Sequence, residues 1–215
     1  MKIGILISGR GSNLQALAAA CADPDFPAEI AIVISNRPKA AGLAFAREAG
    51  LKAVAIDHKD YSARETFDAE LDATLTEAGV ELVVNAGFLR ILGDEFVGKW
   101  RNRIINIHPS LLPAFKGLNV HERVLESGVR ITGCTVHFVR PEMDEGPIIA
   151  QAAVPVLPDD TVESLGARVL AAEHKLYPYA VGLVAAGRTR IVEERVLIDG
   201  AAFDNQAPLF SPDVG

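Results

Sequence analysis

Residues 2–22 read KIGILISGRGSNLQALAAACA, and the order of patterns within them decides the fold. Lys2–Ser8 is apolar almost throughout, as a strand buried on both faces of a parallel sheet must be. A glycine-rich turn follows, and Asn13–Ala22 then has helical spacing. Strand, tight turn and helix in that order form the opening unit of an α/β sheet.

The same rhythm continues downstream. Strands are predicted at Glu29–Ser35, Lys52–Ile56, Leu82–Ala86 and Ile104–Ile107. Helices are predicted at Ala40–Ala49, where Gly50 supplies a C-terminal cap, at Tyr61–Ala78, and at Glu95–Lys99. The later half changes character. Ile131–Val139 and Ile148–Val156 are two β runs separated by the turn-rich RPEMDEGP, and they are expected to pair antiparallel. Thr161–Val184 is a long helical pattern interrupted by Pro178, and Arg190–Ile198 reads as one or two edge strands. The expected architecture is α/β: a single-domain, Rossmann-like, mostly parallel sheet over residues 1–200, with helices on both faces and an antiparallel C-terminal extension. Residues 201–215 are expected to form a mobile tail.

Hydrophobic residues make up 49% of the chain and charged residues 23%, an ordinary globular balance. The net charge of −7 disfavours an extended nucleic-acid surface. No apolar run is long enough for a membrane span. Cys21 and Cys134 stand outside any CxxC or Cys/His cluster, which reads as two buried, reduced thiols in a cytoplasmic protein. No metal-ligand spacing is present.

Ligands of such sheets bind beyond the C-terminal ends of the strands, so the residues just after each strand carry the functional information. After the first strand comes Ser8-Gly9-Arg10-Gly11-Ser12-Asn13. Its glycines allow backbone N–H groups to approach an anion at a helix N-terminus, and Ser12 and Asn13 are good capping residues. A dinucleotide fingerprint fails at Leu14, and a P-loop fails for want of a lysine. Taken alone, the turn fits a phosphate site and a plain strand-to-helix connection equally.

After the fifth strand comes Asn106-Ile107-His108-Pro109-Ser110-Leu111-Leu112-Pro113. Alternation along a strand puts Asn106 and His108 on one face and Ile107 on the other. An amide donor beside an imidazole suits acyl transfer, where a negative oxygen develops and a proton must move. A further strand leads into Pro141-Glu142-Met143-Asp144-Glu145-Gly146-Pro147. Asp144 is a candidate partner for His108, because a carboxylate beside an imidazole favours its charged form. The competing reading of that segment is a solvated turn.

Together these segments resemble the folate-dependent phosphoribosylglycinamide formyltransferases over nearly the whole chain. The likeness rests on ISGRGSNLQAL at 7–17, AGFLRIL at 86–92, NIHPSLLPAFKGL at 106–118, GCTVHFV at 133–139, MDEGPIIAQAAVPV at 143–156 and AEHKLYP at 172–178. It implies the formyltransferase fold and transfer of a formyl group from 10-formyltetrahydrofolate to the amine of glycinamide ribonucleotide, in purine biosynthesis. Asn106, His108 and Asp144 would be the catalytic set. Gly11, Ser12 and Asn13 would hold the ribonucleotide phosphate, with Glu173 near its ribose or glycinamide end. Arg64 would meet the benzoylglutamate of the folate. Leu89, Arg90, Ile91 and Leu92 would form the pterin pocket with Arg140, Pro141, Glu142, Met143 and Asp144. Leu170 departs from the polar residue of some relatives and puts one sugar contact in doubt. His58, His121, His137 and His174 are expected to be structural, with His137 the nearest of them to the site.

The implied partners are the two small substrates, with no metal, nucleic acid or membrane, and a homodimer is among the options. A formyltetrahydrofolate deformylase would carry an extra N-terminal regulatory domain, whereas the catalytic pattern here begins at residue 2. A methionyl-tRNA formyltransferase would need a C-terminal RNA-binding domain and a more basic surface. The intact Asn106, His108 and Asp144 disfavour a silent binding module.

Overall fold

The computed structural model describes residues 1–200 and Ser211; the rest of the tail expected at 201–215 lies outside the described residues. Seven strands form one sheet in the order β3-β2-β1-β4-β5-β6-β7. They are β1 (Lys2–Ile7), β2 (Glu29–Ser35), β3 (Ala53–Ala55), β4 (Leu82–Asn85), β5 (Ile104–His108), β6 (Ile131–Phe138) and β7 (Ile148–Pro155). The first five are mutually parallel, while β6 runs antiparallel to both β5 and β7. Six helices accompany them: α1 (Ser12–Cys21), α2 (Ala41–Glu48), α3 (Arg64–Glu77), α4 (Asp94–Lys99), α5 (Val120–Ser127) and α6 (Val162–Ala185).

Burial explains the apolar run of β1. Ile3, Ile5 and Ile7 join one core with Leu14 and Leu17 of α1, Leu43 of α2 and Tyr177 and Val181 of α6. Leu6 joins the other, with Phe67, Leu71 and Leu75 of α3 and Phe96 and Val97 of α4. The helices therefore divide between the two faces of the sheet. The order turns back on itself at β1, which has β2 on one side and β4 on the other. Such a switch point opens a crevice at the strands' carboxyl ends.

Four expectations need correction. Helix α3 begins at Arg64 and not at Tyr61, because a short 3-10 turn, His58–Asp60, stands ahead of it with Asp57 accepting from the Lys59 N–H. Pro178 does not interrupt α6, which runs unbroken from Val162 to Ala185. The fully buried Tyr177 beside it donates its hydroxyl to the carbonyl of Asn85 at 2.7 Å, and the carbonyl of Ile105 lies 3.3 Å away. Docking on the sheet thus outweighs the one helical hydrogen bond that proline removes. Arg190–Ile198 forms no edge of the main sheet: β8 (Thr189–Val192) and β9 (Arg195–Ile198) make a two-stranded sheet of their own. Cys21, expected buried, is only half-buried; Cys134 is buried, and that burial pushes its thiol up to about 12.

Gly11 is where the fold meets the candidate phosphate turn. Its φ is +76°, and a Cβ there would lie 2.9 Å from the Cα of Gly42 in α2. The residue is required by backbone conformation and close packing alike, before any ligand is considered. Gly11→Ala should lower unfolding stability by roughly 1–3 kcal/mol, read as a shifted urea midpoint at unchanged slope. Gly9→Ala is the control, since a Cβ there meets nothing within 4 Å. Equal midpoints for the two variants would sink this account.

Candidate active site

The carboxyl ends of the strands open into a cavity of about 870 Å³. Its walls include Asn13 and Glu173, then Asn106 and His108, then Leu89 to Leu92 and Arg140 to Asp144. Most of the residues singled out from sequence thus surround one space. Gly11, Ser12 and Arg64 do not line it. Gly11 and Ser12 begin the turn of helix whose next residue, Asn13, does. Arg64 opens α3, its Cδ 3.6 Å from where a Cβ of Gly93 would sit.

Asn106 and His108 lie at the end of β5, with Ile107 on the opposite face and buried in the core as alternation requires. Across the antiparallel ladder, Asn106 pairs with His137 and His108 with Thr135. The Asn106 amide nitrogen is 3.3 Å from His137 Nε2, and His137 Nδ1 is 3.0 Å from the carbonyl of Phe138. The assignment that satisfies both contacts is a neutral ring: Nδ1–H donates to Phe138, and Nε2 accepts from Asn106. Burial favours the same state by pushing the His137 imidazole below its ordinary value. His137 was expected to be structural, yet it touches the candidate catalytic amide. The signal that finds it is the β5–β6 register, and the sequence pattern suggested only the β6–β7 pair.

His108 is buried, with Nδ1 3.4 Å from Asp144 Oδ1 and Nε2 3.0 Å from the carbonyl of Phe115. Asp144 Oδ2 accepts from the backbone N–H of Gly117 at 2.7 Å. The carboxylate therefore ties the 140–146 turn both to the imidazole and to the loop after β5. Asp144 has a φ of +52° and Phe115 of +54°, so both residues that contact His108 hold left-handed backbone. In non-glycine residues such strain persists only where the surroundings over-determine it. Both imidazole nitrogens therefore face acceptors.

Helix α1 begins at Ser12 with Gly11 as its cap and no side-chain cap. Ser12 and Asn13 do not cap it, contrary to expectation, and the first backbone N–H groups stay open to an anion. Asn13 donates through Nδ2 to Glu173 Oε2 at 2.8 Å, while its buried Oδ1 has no partner. Burial raises the Glu173 carboxyl above its usual range, with the Asn13 hydrogen bond pulling the other way.

The apolar wall divides by exposure. Leu92 is buried, but Leu89 is 62% exposed and Ile91 and Met143 each 54%. These three form an apolar mouth. Arg90 stacks its guanidinium over Phe67, 4.6 Å from the ring centre. Arg140 lines the cavity, yet its guanidinium is occupied by Glu194, Asn102 and the Val139 carbonyl. Sequence reading missed Arg37, Asn119, Val120, Glu122 and Val162, which also line the wall. Among the described residues no three His, Cys, Asp or Glu side chains gather where a metal ion would sit.

A family model described as formyl transferase matches residues 1–181, and the chain belongs to that family. It is 42% identical over 200 residues to the phosphoribosylglycinamide formyltransferase of Escherichia coli (strain K12), spanning 93% of this chain and 94% of that one. It is 52% identical over 193 residues to the trifunctional purine biosynthetic protein adenosine-3 of Gallus gallus; the match takes in 90% of this chain but only 19% of the length of that larger protein. The crystal structure of glycinamide ribonucleotide transformylase 1 from Symbiobacterium toebii superposes with a TM-score of 0.90 at 51% identity, over 92% of this chain and 93% of that one. The fold is the formyltransferase fold, as the resemblance implied.

The Glu173 environment gives a test by pH. A carboxyl whose folded pKa is raised adds stability below its unfolded value, about 4.3, and loses it as pH rises through the folded value. At neutral pH the buried charge is a liability that glutamine removes. Glu173→Gln should have a higher urea midpoint than the parent at pH 7.5, and the gain should vanish near pH 4. A gain that does not change with pH would show that desolvation of the charge is not its cause.

Proposed function

We propose that this chain transfers the formyl group of 10-formyltetrahydrofolate to the amine of 5-phosphoribosylglycinamide, a step of purine biosynthesis carried out in the cytoplasm. The observation that carries the reading is the convergence of Asn106, His108 and Asp144 on one cavity wall, between Asn13 and Glu173 on one side and an apolar mouth on the other. Membership of the formyl transferase family supports the reaction class. The name of the full-length Escherichia coli relative supports the acceptor.

The chain's own groups divide the work. The open N–H groups of α1 suit the ribonucleotide phosphate, and the unpartnered Asn13 Oδ1 and the Glu173 carboxylate offer acceptors to hydroxyl or amine hydrogens. Leu89, Ile91 and Met143 present apolar surface to the flat ring of the formyl donor, whose bound form would cover it. The neutral amine attacks the formyl carbon, a new C–N bond forms, and the oxygen becomes negative. Asn106 has one amide hydrogen directed to His137, so its second is free for that oxygen. His108 adds Nε2–H once the Phe115 carbonyl is displaced, and Asp144 supports the charged ring. The bond from carbon to N10 then breaks, and the proton lost by the amine reaches N10, with a water near Asp144 as carrier. The enzyme forms no covalent intermediate.

The purified protein should release tetrahydrofolate in step with added 5-phosphoribosylglycinamide and not without it. Release that ignores the ribonucleotide would replace transfer by hydrolysis. Asn106→Ala should lower kcat by about 10²–10³ with little change in ribonucleotide affinity, since an oxyanion donor acts in the transition state. A variant keeping near-parental kcat would remove Asn106 from this role.

A further inference from the structure

Arg140 is 7% exposed, and three of its five guanidinium N–H groups, one on each nitrogen, are engaged within the protein. Nε donates to Glu194 Oε2 at 2.6 Å, Nη2 to Asn102 Oδ1 at 2.9 Å and Nη1 to the carbonyl of Val139 at 3.0 Å. The second oxygen of Glu194 accepts from Arg101 Nη2 at 2.7 Å. One carboxylate thus takes two arginines, of which one is buried at the start of the 140–146 turn. The Arg140 hydrogen bond holds the Glu194 carboxyl below its usual range.

The backbone around this contact is unusual. Glu193 and Glu194 form the two-residue turn between β8 and β9, with φ of +49° and +57°. Hairpin turns with both central residues left-handed normally use Asn, Asp or Gly. Asn102, on the other side of the guanidinium, has a φ of +60°. Two of these three left-handed residues, Glu194 and Asn102, therefore accept from one buried cation. The hairpin itself lines no part of the cavity and pairs with no strand of the main sheet. Ile191, Val196 and Ile198 pack it against the main core, so the hairpin is a fixed body on which Arg140 can be held.

We propose that Glu194 is a positioning residue for the formyl-donor loop, acting through Arg140 to fix the loop that carries Asp144. The proposal rests on the function proposed above. The loop is held at both ends. At its start Arg140 is clamped. At its finish Gly146 has a φ of +121° and lies so near the Phe138 carbonyl that a Cβ would come within 2.1 Å of it. Asp144, between them, meets both His108 and Gly117. Freeing the Arg140 end leaves a buried guanidinium N–H without an acceptor and lets the turn re-aim the carboxylate.

Glu194→Gly separates positioning from hairpin stability, because glycine relieves the left-handed strain while removing the carboxylate. Expected is at most a modest fall in Tm, relief of strain offsetting part of the lost Arg140 contact, with exchange of the 141–146 backbone amides about threefold to tenfold faster in hydrogen-exchange measurements. KM for the formyl donor should rise by a similar factor while KM for the ribonucleotide stays within about twofold. Glu193→Gly, at the same turn, should change neither quantity. The proposal falls if Glu194→Gly leaves loop exchange and donor KM at parental values. It also falls if Tm drops and both KM values rise together, since that is the signature of a merely structural hairpin. If the parent protein transfers no formyl group while Glu194→Gly still speeds loop exchange, the clamp stands and the assigned reaction fails.

Discussion

A strand paired on both edges and buried on both faces cannot slip by one residue without sending its whole side-chain set to the wrong face. Strand β5 is in that position, parallel to β4 on one edge and antiparallel to β6 on the other. Ile105 and Ile107 are committed to the core, so Asn106 and His108 have no choice but the opposite face. The same ladder sets His137 opposite Asn106. Three polar side chains are thereby aimed by apolar neighbours, and the cavity wall inherits the rigidity of the sheet.

What the sheet cannot fix, the loops add. His108 meets Asp144 and the Phe115 carbonyl from two different turns, and both contacting residues hold left-handed backbone. Hydrogen-bond partners are worth more here than at the surface, because the ring is buried and the local dielectric is low. The imidazole is therefore well held but fully engaged, and loop movement is the natural step that releases it.

Much of this was legible because the informative patterns are local. Apolar runs mark the buried parallel strands, and period-two alternation aligns Asn106 with His108. The glycine before Ser12 marks the turn into α1. The unread parts depend on distant partners. His137 matters only through a ladder between residues far apart in sequence. Pro178 looks like a break until the Tyr177 hydroxyl is seen on the sheet. Arg140 looks like a ligand residue until Glu194, 54 positions later, is found on it. Gly11 was legible as a needed glycine, but much of the reason is the backbone of Gly42.

Glu173 and Tyr177 stand four residues apart, on one stripe of α6. The phenol hangs on carbonyls of β4 and β5, so it sets the rotation of the helix about its own axis. The acid one turn earlier is aimed at the cavity by that setting. Inserting or deleting a single residue between the two would turn Glu173 by about 100° about the axis, away from Asn13. Length changes beyond Ala185 would not turn it at all. In α6 the four-residue interval from 173 to 177 therefore behaves as a fixed ruler between the sheet and the cavity.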